Sequence, residues 1–208
     1  MNRVLILCCC LIFLTGCSGK ESTNYNDTYD PDAAVAYSYQ YVEDRNPEYA
    51  NFDSNCTNYI SQALIAGGKQ MDEAISPKKD TRIVYHNTPN RWFSTYIETN
   101  PKRWKEFSIS NSFCRTNSFV EYWTEVRGMK LTTYTNTMDG LLSMYDNARK
   151  GDIILLYNEK EEIEHLCLLV VRDDMQLLVN ANTTDYKDRN ILDISAIAYP
   201  KIGLLSMK

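Results

Sequence analysis

Asp53-Ser54-Asn55-Cys56-Thr57-Asn58-Tyr59-Ile60-Ser61-Gln62-Ala63-Leu64-Ile65-Ala66-Gly67-Gly68 reads as a helix with a cysteine in its first turn. Asp53, Ser54 and Asn55 each carry an acceptor oxygen that can cap the free N–H groups at its start. Tyr59, Ile60, Ala63 and Leu64 recur at helical spacing and form an apolar face. Gly67 and Gly68 end the helix, because glycine can take the left-handed conformation of a C-terminal cap. Cys56 then stands over the positive end of the helix dipole, among N–H groups with no partner in the helix, and both favour a thiolate. A cysteine that only fills space belongs in the middle of the apolar face, and Cys56 is not there. The plainer role, a small hydrophobe in a core, stands beside the nucleophile.

Working outward, the 208 residues suffice for one domain with a proper core. With 44% hydrophobic and 24% charged residues the chain is globular in composition rather than disordered. A formal net charge of −5 and the lack of a basic stripe argue against a general nucleic-acid binder. Residues 1–16 read as a signal peptide: Arg3 is a positive n-region and Val4 to Leu14 an apolar run too short to span a bilayer. The run ends in Leu14-Thr15-Gly16-Cys17, which resembles the lipobox of bacterial lipoproteins. That resemblance implies cleavage before Cys17 and lipidation of its sulfur, with the protein held on the extracytoplasmic face of a membrane. An ordinary secretory signal with an incidental cysteine is the alternative. Cys8, Cys9 and Cys10 leave with the signal, so Cys56, Cys114 and Cys167 remain. Three is odd, which leaves at least one thiol free or paired between molecules.

Residues 17–29 have the polar composition of a tether, and residues 30–208 read as one domain. Asp30-Pro31 predicts a capped helix running towards Tyr41, and Asn46-Pro47-Glu48-Tyr49 a turn into the cysteine helix. From Met71 to Asn111 periodicity is weak. Thr116 or Asn117 could cap a helix carrying Phe119, Val120, Trp123 and Val126, closed by Gly128, and another short helix covers Met138 to Asn147. Ile153–Tyr157, Ile163–Val171 and Met175–Val179 then read as an antiparallel meander. Helices first and a sheet second predict an α+β architecture.

Two histidines narrow the choice of a base. His86 falls in a polar turn and reads as exposed, whereas His165 opens an apolar strand. Asn182, just beyond the next strand, can orient His165, since a base needs its second ring nitrogen held by an acceptor. Asn180 and Asp185 compete for that role.

Asn46-Pro47-Glu48-Tyr49, Phe52, Asn55-Cys56-Thr57-Asn58-Tyr59-Ile60-Ser61-Gln62 and Ala66-Gly67-Gly68-Lys69-Gln70-Met71 resemble the amidase-domain family of bacterial surface proteins. That family is similar to the papain-like NlpC/P60 and CHAP hydrolases. Gly151-Asp152 before a strand, Glu164-His165 opening the next and Ala181-Asn182-Thr183-Thr184-Asp185 after the third extend the likeness over roughly residues 30–200. The resemblance implies a papain-like fold, with Cys56 as nucleophile, His165 as general base and Asn182 as third residue. Asn55 stands where the family often has aspartate, and Asn182 where it often has histidine. The implied reaction is hydrolysis of an amide, in a peptide or in the cell wall, without a cofactor or metal. The backbone N–H of Cys56 would serve the oxyanion, with Asn55 or Tyr49 as further candidates for that role or for substrate contact. Against it stand an inactive papain-like module that binds a cell-wall peptide or protein partner, and a zinc site using Cys56, His165 and Cys167.

Overall fold

The computed structural model describes residues 28–76, 83–97, 106–173 and 175–208. The signal peptide, Cys17 and most of the tether lie outside the described residues. Among the described residues no helix is long and apolar enough to cross a membrane.

Asp30 caps α1 (Pro31–Tyr41) as its sequence predicts: Oδ1 accepts from the N–H of Asp32 at 2.9 Å and of Ala33 at 3.3 Å, with proline at the first helical position. The turn at Asn46 also forms, the Asn46 side chain accepting from the Glu48 N–H at 2.9 Å. Next comes α2 (Cys56–Ala66), which is buried from Cys56 through Leu64. Its end is a Schellman motif, Lys69 N–H donating to Leu64 C=O and Gly68 N–H to Ile65 C=O, each at 2.9 Å. Gly68 has φ +93°, which is why glycine stands there.

The weakly patterned middle folds into a small sheet that the sequence reading missed. β1 (Ile83–His86), β2 (Ser94–Ile97) and β3 (Glu106–Ser110) pair in the order β1-β3-β2, with β1 parallel to β3. β3 is buried along its whole length, serines included, so no alternation marks it. The Ser108 hydroxyl is satisfied internally, donating to Ile75 C=O at 2.6 Å. His86 is therefore not in an exposed turn: it ends β1, half-buried, with Nε2 2.9 Å from Ser108 Oγ.

α3 (Asn111–Cys114) and α4 (Thr116–Glu121) follow, α4 running on as a π-helical turn over Tyr122–Val126 before Gly128 at φ +68°. No side chain caps α4. The remaining elements are β4 (Leu131–Thr135), α5 (Met138–Asn147), β5 (Ile153–Tyr157), β6 (Ile163–Asp173), β7 (Gln176–Ala181), β8 (Tyr186–Asn190) and β9 (Lys201–Leu205). The expected meander is β5-β6-β7. It forms the centre of a six-stranded antiparallel sheet of order β4-β9-β5-β6-β7-β8. The fold is α+β, helices leading and the antiparallel sheet following.

Both faces of this sheet are covered. Ala34 of α1 and Tyr59, Ile60, Ala63 and Leu64 of α2 pack with Ile153, Leu155, Leu166, Leu168 and Val170. On the other face Leu141 and Met144 of α5 pack with Ile154, Leu156, Cys167, Leu169 and Val179. The sheet thus forms a middle layer, with α2 on one side and α5 on the other.

Candidate active site

Cys56 opens α2 and is buried, with 2% of its surface exposed. Its Sγ lies 3.8 Å from Thr57 Oγ1, and that hydroxyl is 3.0 Å from Thr116 Oγ1 at the start of α4. The expected side-chain cap is absent. Asn55 holds the N-cap position, but neither it nor Asp53 or Ser54 bonds the helix N–H groups. The N–H groups of Cys56, Thr57 and Asn58 make no hydrogen bond with the described residues.

The Asn55 side chain is used elsewhere. Its Nδ2 donates to Asn182 Oδ1 at 2.7 Å, its Oδ1 accepts from Asn58 Nδ2 at 2.8 Å, and its backbone N–H donates to Thr183 Oγ1 at 2.6 Å. Asn182 Nδ2 in turn donates to the carbonyls of Tyr41 at 3.1 Å and Val42 at 2.7 Å. This buried chain ties the start of α2 to the end of β7 and the end of α1. It sets the approach of Cys56 to the sheet.

His165 is placed differently. It pairs with Leu156, whose side chain belongs to the α5 side of the sheet, and its ring meets Tyr186 edge-on at 5.5 Å on that side. Leu166, the next residue, faces α2. Among the described residues no hydrogen bond joins His165 to Cys56, and its buried Nε2 has no hydrogen-bond partner. Burial pushes its pKa down to about 4, so the imidazole is neutral near pH 7. Cys167 shares its face. Burial first and the Cys56 thiol second raise the Cys167 thiol well above its usual range.

The three candidates for orienting His165 are bonded to other groups. Asn182 is held as above. Asn180 donates to Ser38 Oγ at 3.1 Å and accepts from the Asp188 N–H at 2.9 Å. Asp185 pairs with Arg45 at 3.1 Å. Tyr49 stacks on Phe113 with ring centroids 6.2 Å apart, behind the loop that leads to Cys56. Asn55 contributes its side chain to the network rather than to the space above the helix N-terminus. Cys56, Cys114 and Cys167 are all free thiols, and among the described residues no group of three His, Cys, Asp or Glu could hold a metal ion. Two participants went unread as site residues in the sequence: Thr116, whose hydroxyl meets that of Thr57, and Thr183. Thr116 reads in the sequence only as a cap candidate and Thr183 only as part of residues 181–185; tertiary contact brings each to the site.

Because His165 is buried neutral, it ties stability to pH. An unfolded histidine titrates near 6.5, so between that pH and about 4 the unfolded chain binds the extra proton and stability falls as pH falls. Roughly 2 kcal/mol is expected to be lost at this site between pH 7 and pH 5. Urea unfolding of wild type and His165→Phe at both pH values measures it: the variant should lose that much less on acidification. An equal loss in the two proteins would place the sensitivity elsewhere.

A family model described as "Putative amidase domain" matches residues 28–204, nearly the whole described chain. The chain belongs to that amidase-domain family. This amidase-domain chain is also 29% identical over 167 residues to the uncharacterized protein YhbB of Bacillus subtilis (strain 168), a match covering 77% of this chain and 43% of YhbB. It therefore spans less than half the length of that relative. No solved structure matches it. The family description points to amide hydrolysis and a hydrolase class for the amidase-domain chain.

Proposed function

We propose that this chain is a cysteine-dependent amide hydrolase on a papain-like, NlpC/P60-type scaffold. In this reading it is anchored by lipid at Cys17 on the extracytoplasmic face, tethered by residues 17–29, and cuts amide bonds in cell-wall peptides. One observation carries the catalytic part: α2 begins at Cys56 without a side-chain cap, and the N–H groups of Cys56, Thr57 and Asn58 have no hydrogen bond among the described residues. Omitting a side-chain cap costs a helix about 1 kcal/mol. An N-terminus left open at a cysteine offers what acyl transfer needs, donors for a developing oxyanion beside a nucleophile.

The sequence of steps follows. Cys56 Sγ attacks the amide carbonyl as its proton passes to His165 Nε2, and the oxyanion accepts the Cys56 N–H. Collapse of the tetrahedral adduct expels the amine, which takes the proton back from His165. Water, deprotonated by His165, then cleaves the thioester and the proton returns to sulfur. The imidazole is neutral near pH 7 and so has a free lone pair, but burial that holds its pKa at about 4 makes it a weak base where it stands. His165 has to be presented on the α2 side for the first transfer. The register shift between Leu156 and Tyr157 lies directly beside His165, and a one-residue slip at such a bulge exchanges the two faces of a strand.

The second reading is an inactive module on the same scaffold that binds a peptide or protein partner. The packing of His165 against Tyr186, away from α2, favours it. Site-resolved alkylation separates the two. In the hydrolase Cys56 should react with iodoacetamide faster than Cys114 and Cys167. His165→Ala should remove that advantage. Equal reactivity at the three thiols supports the binding module.

A further inference from the structure

We propose that Arg115, held over the Tyr85 ring and one residue from the Thr116–Thr57–Cys56 contacts, is a specificity residue that takes a substrate carboxylate near the scissile amide. The inference rests on the Cys56 reading above and names the chemistry of its substrate.

Arg115 lies between α3 and α4, its backbone fixed by an N–H bond to Asn111 C=O at 2.7 Å and by accepting the Phe119 N–H at 2.9 Å. The next residue, Thr116, meets Thr57, which meets Cys56 Sγ. Its exposed guanidinium sits 5.6 Å from the centre of the Tyr85 ring. Tyr85 is 47% exposed, and its ring centroid is 6.1 Å from that of Phe52, in the loop that leads into α2. Arginine and aromatic platform therefore lie on the surface next to the start of α2, beneath which Cys56 is buried.

Arg115 is also singular in what it does not do. The other described arginines each spend side-chain N–H groups on the protein: Arg45 on Asp185, Arg91 on Glu73, Arg127 on Tyr122, Arg149 on Ala148, Arg172 on Tyr145 and Arg189 on Asp193. The Arg115 side chain makes no hydrogen bond or ion pair with the described residues. Even Asp53, exposed in the neighbouring loop, forms no ion pair with it. A guanidinium stacked on an aromatic ring keeps its planar fork free for a carboxylate and loses little freedom on binding one. The uncapped start of α2, buried behind this surface, adds a second positive feature in a chain whose net charge is −5. An anionic substrate is thereby favoured over its neutral amide counterpart.

The test uses the full chain in a non-ionic detergent. Alkylation of Cys56 by anionic iodoacetate and by neutral iodoacetamide is followed by mass spectrometry, with glutathione as the reference thiol. Relative to glutathione, the iodoacetate-to-iodoacetamide rate ratio at Cys56 should be about fivefold higher in wild type, the upper end for an exposed charge pair. It should return to the glutathione value in Arg115→Gln, and in wild type at about 1 M salt. Equal ratios in the two proteins would overturn the subsite. A failure of the nucleophile reading looks different: Cys56 then reacts with iodoacetamide no faster than Cys114. In that event, or if Cys56 admits neither reagent, a second measurement decides. N-acetylglutamate and N-acetylglutamine are titrated while NMR follows the Arg115 Nε–H and the amides of Cys56, Thr57 and Asn58. Shifts with the acid alone that vanish in Arg115→Gln support the subsite, whereas no shifts, or equal shifts with both compounds, reject it.

Discussion

Cys56→Ala is expected to lower amide hydrolysis by about a thousandfold or more, the usual consequence of removing a nucleophile that forms a covalent intermediate. Stability should change little beside that. Cys56 sits at a helix start rather than inside either apolar cluster, and alanine leaves the Asn55 network and the Thr57–Thr116 contact intact. Cys114→Ala and Cys167→Ala are the controls: Cys167 packs on the α5 face of the sheet, and Cys114 carries no role in the steps above. Release of products from amide-containing peptides, followed by mass spectrometry, is the measurement. Full turnover by Cys56→Ala would remove this thiol from the chemistry and with it the hydrolase reading.

Asn182→Ala is expected to destabilise the fold by about 3–4 kcal/mol, because one truncation strands several buried groups. Asn182 is fully buried, and its loss leaves Asn55 Nδ2 and the carbonyls of Tyr41 and Val42 without it. For a domain of this size that is a drop in Tm of roughly 10 °C. Asp185→Ala should cost under about 1 kcal/mol, since its ion pair with Arg45 lies at the surface. Denaturant melts of the two variants make the comparison. A small effect at Asn182 would mean that the network does not hold α2 to the sheet. The role thus differs from the one its sequence position suggests: Asn182 positions the helix that carries the cysteine, and it makes no bond to the histidine.

The sequence made the cysteine helix, its glycine cap, α1, α5 and the β5-β6-β7 meander readable, because each carries its own local signal. β8 is almost wholly polar, β4 is threonine-rich, and β9 follows a long irregular stretch, so none announces itself. The capping expectation failed for a reason that local sequence cannot supply. Asn55 has a stronger claim on its side chain from Asn182, distant in the chain but adjacent in space. The face taken by His165 was likewise hidden. From Leu166 to Val170 the strand is buried on both sides, so alternation gives two faces without saying which of them meets α2.

The place of β9 bears on how the sheet is completed. It inserts between β4 and β5, so its partners precede it by 44 residues (Tyr157 to Lys201) to 74 residues (Leu131 to Leu205). Until residues 201–205 arrive, β4 has no partner and the wholly buried strand β5 presents a bare apolar edge. Such an edge is a template for any other extended chain. A chain made from its N-terminus would therefore need shelter, or speed, over its last stretch. Truncation before Lys201 should leave a chain that self-associates through β5.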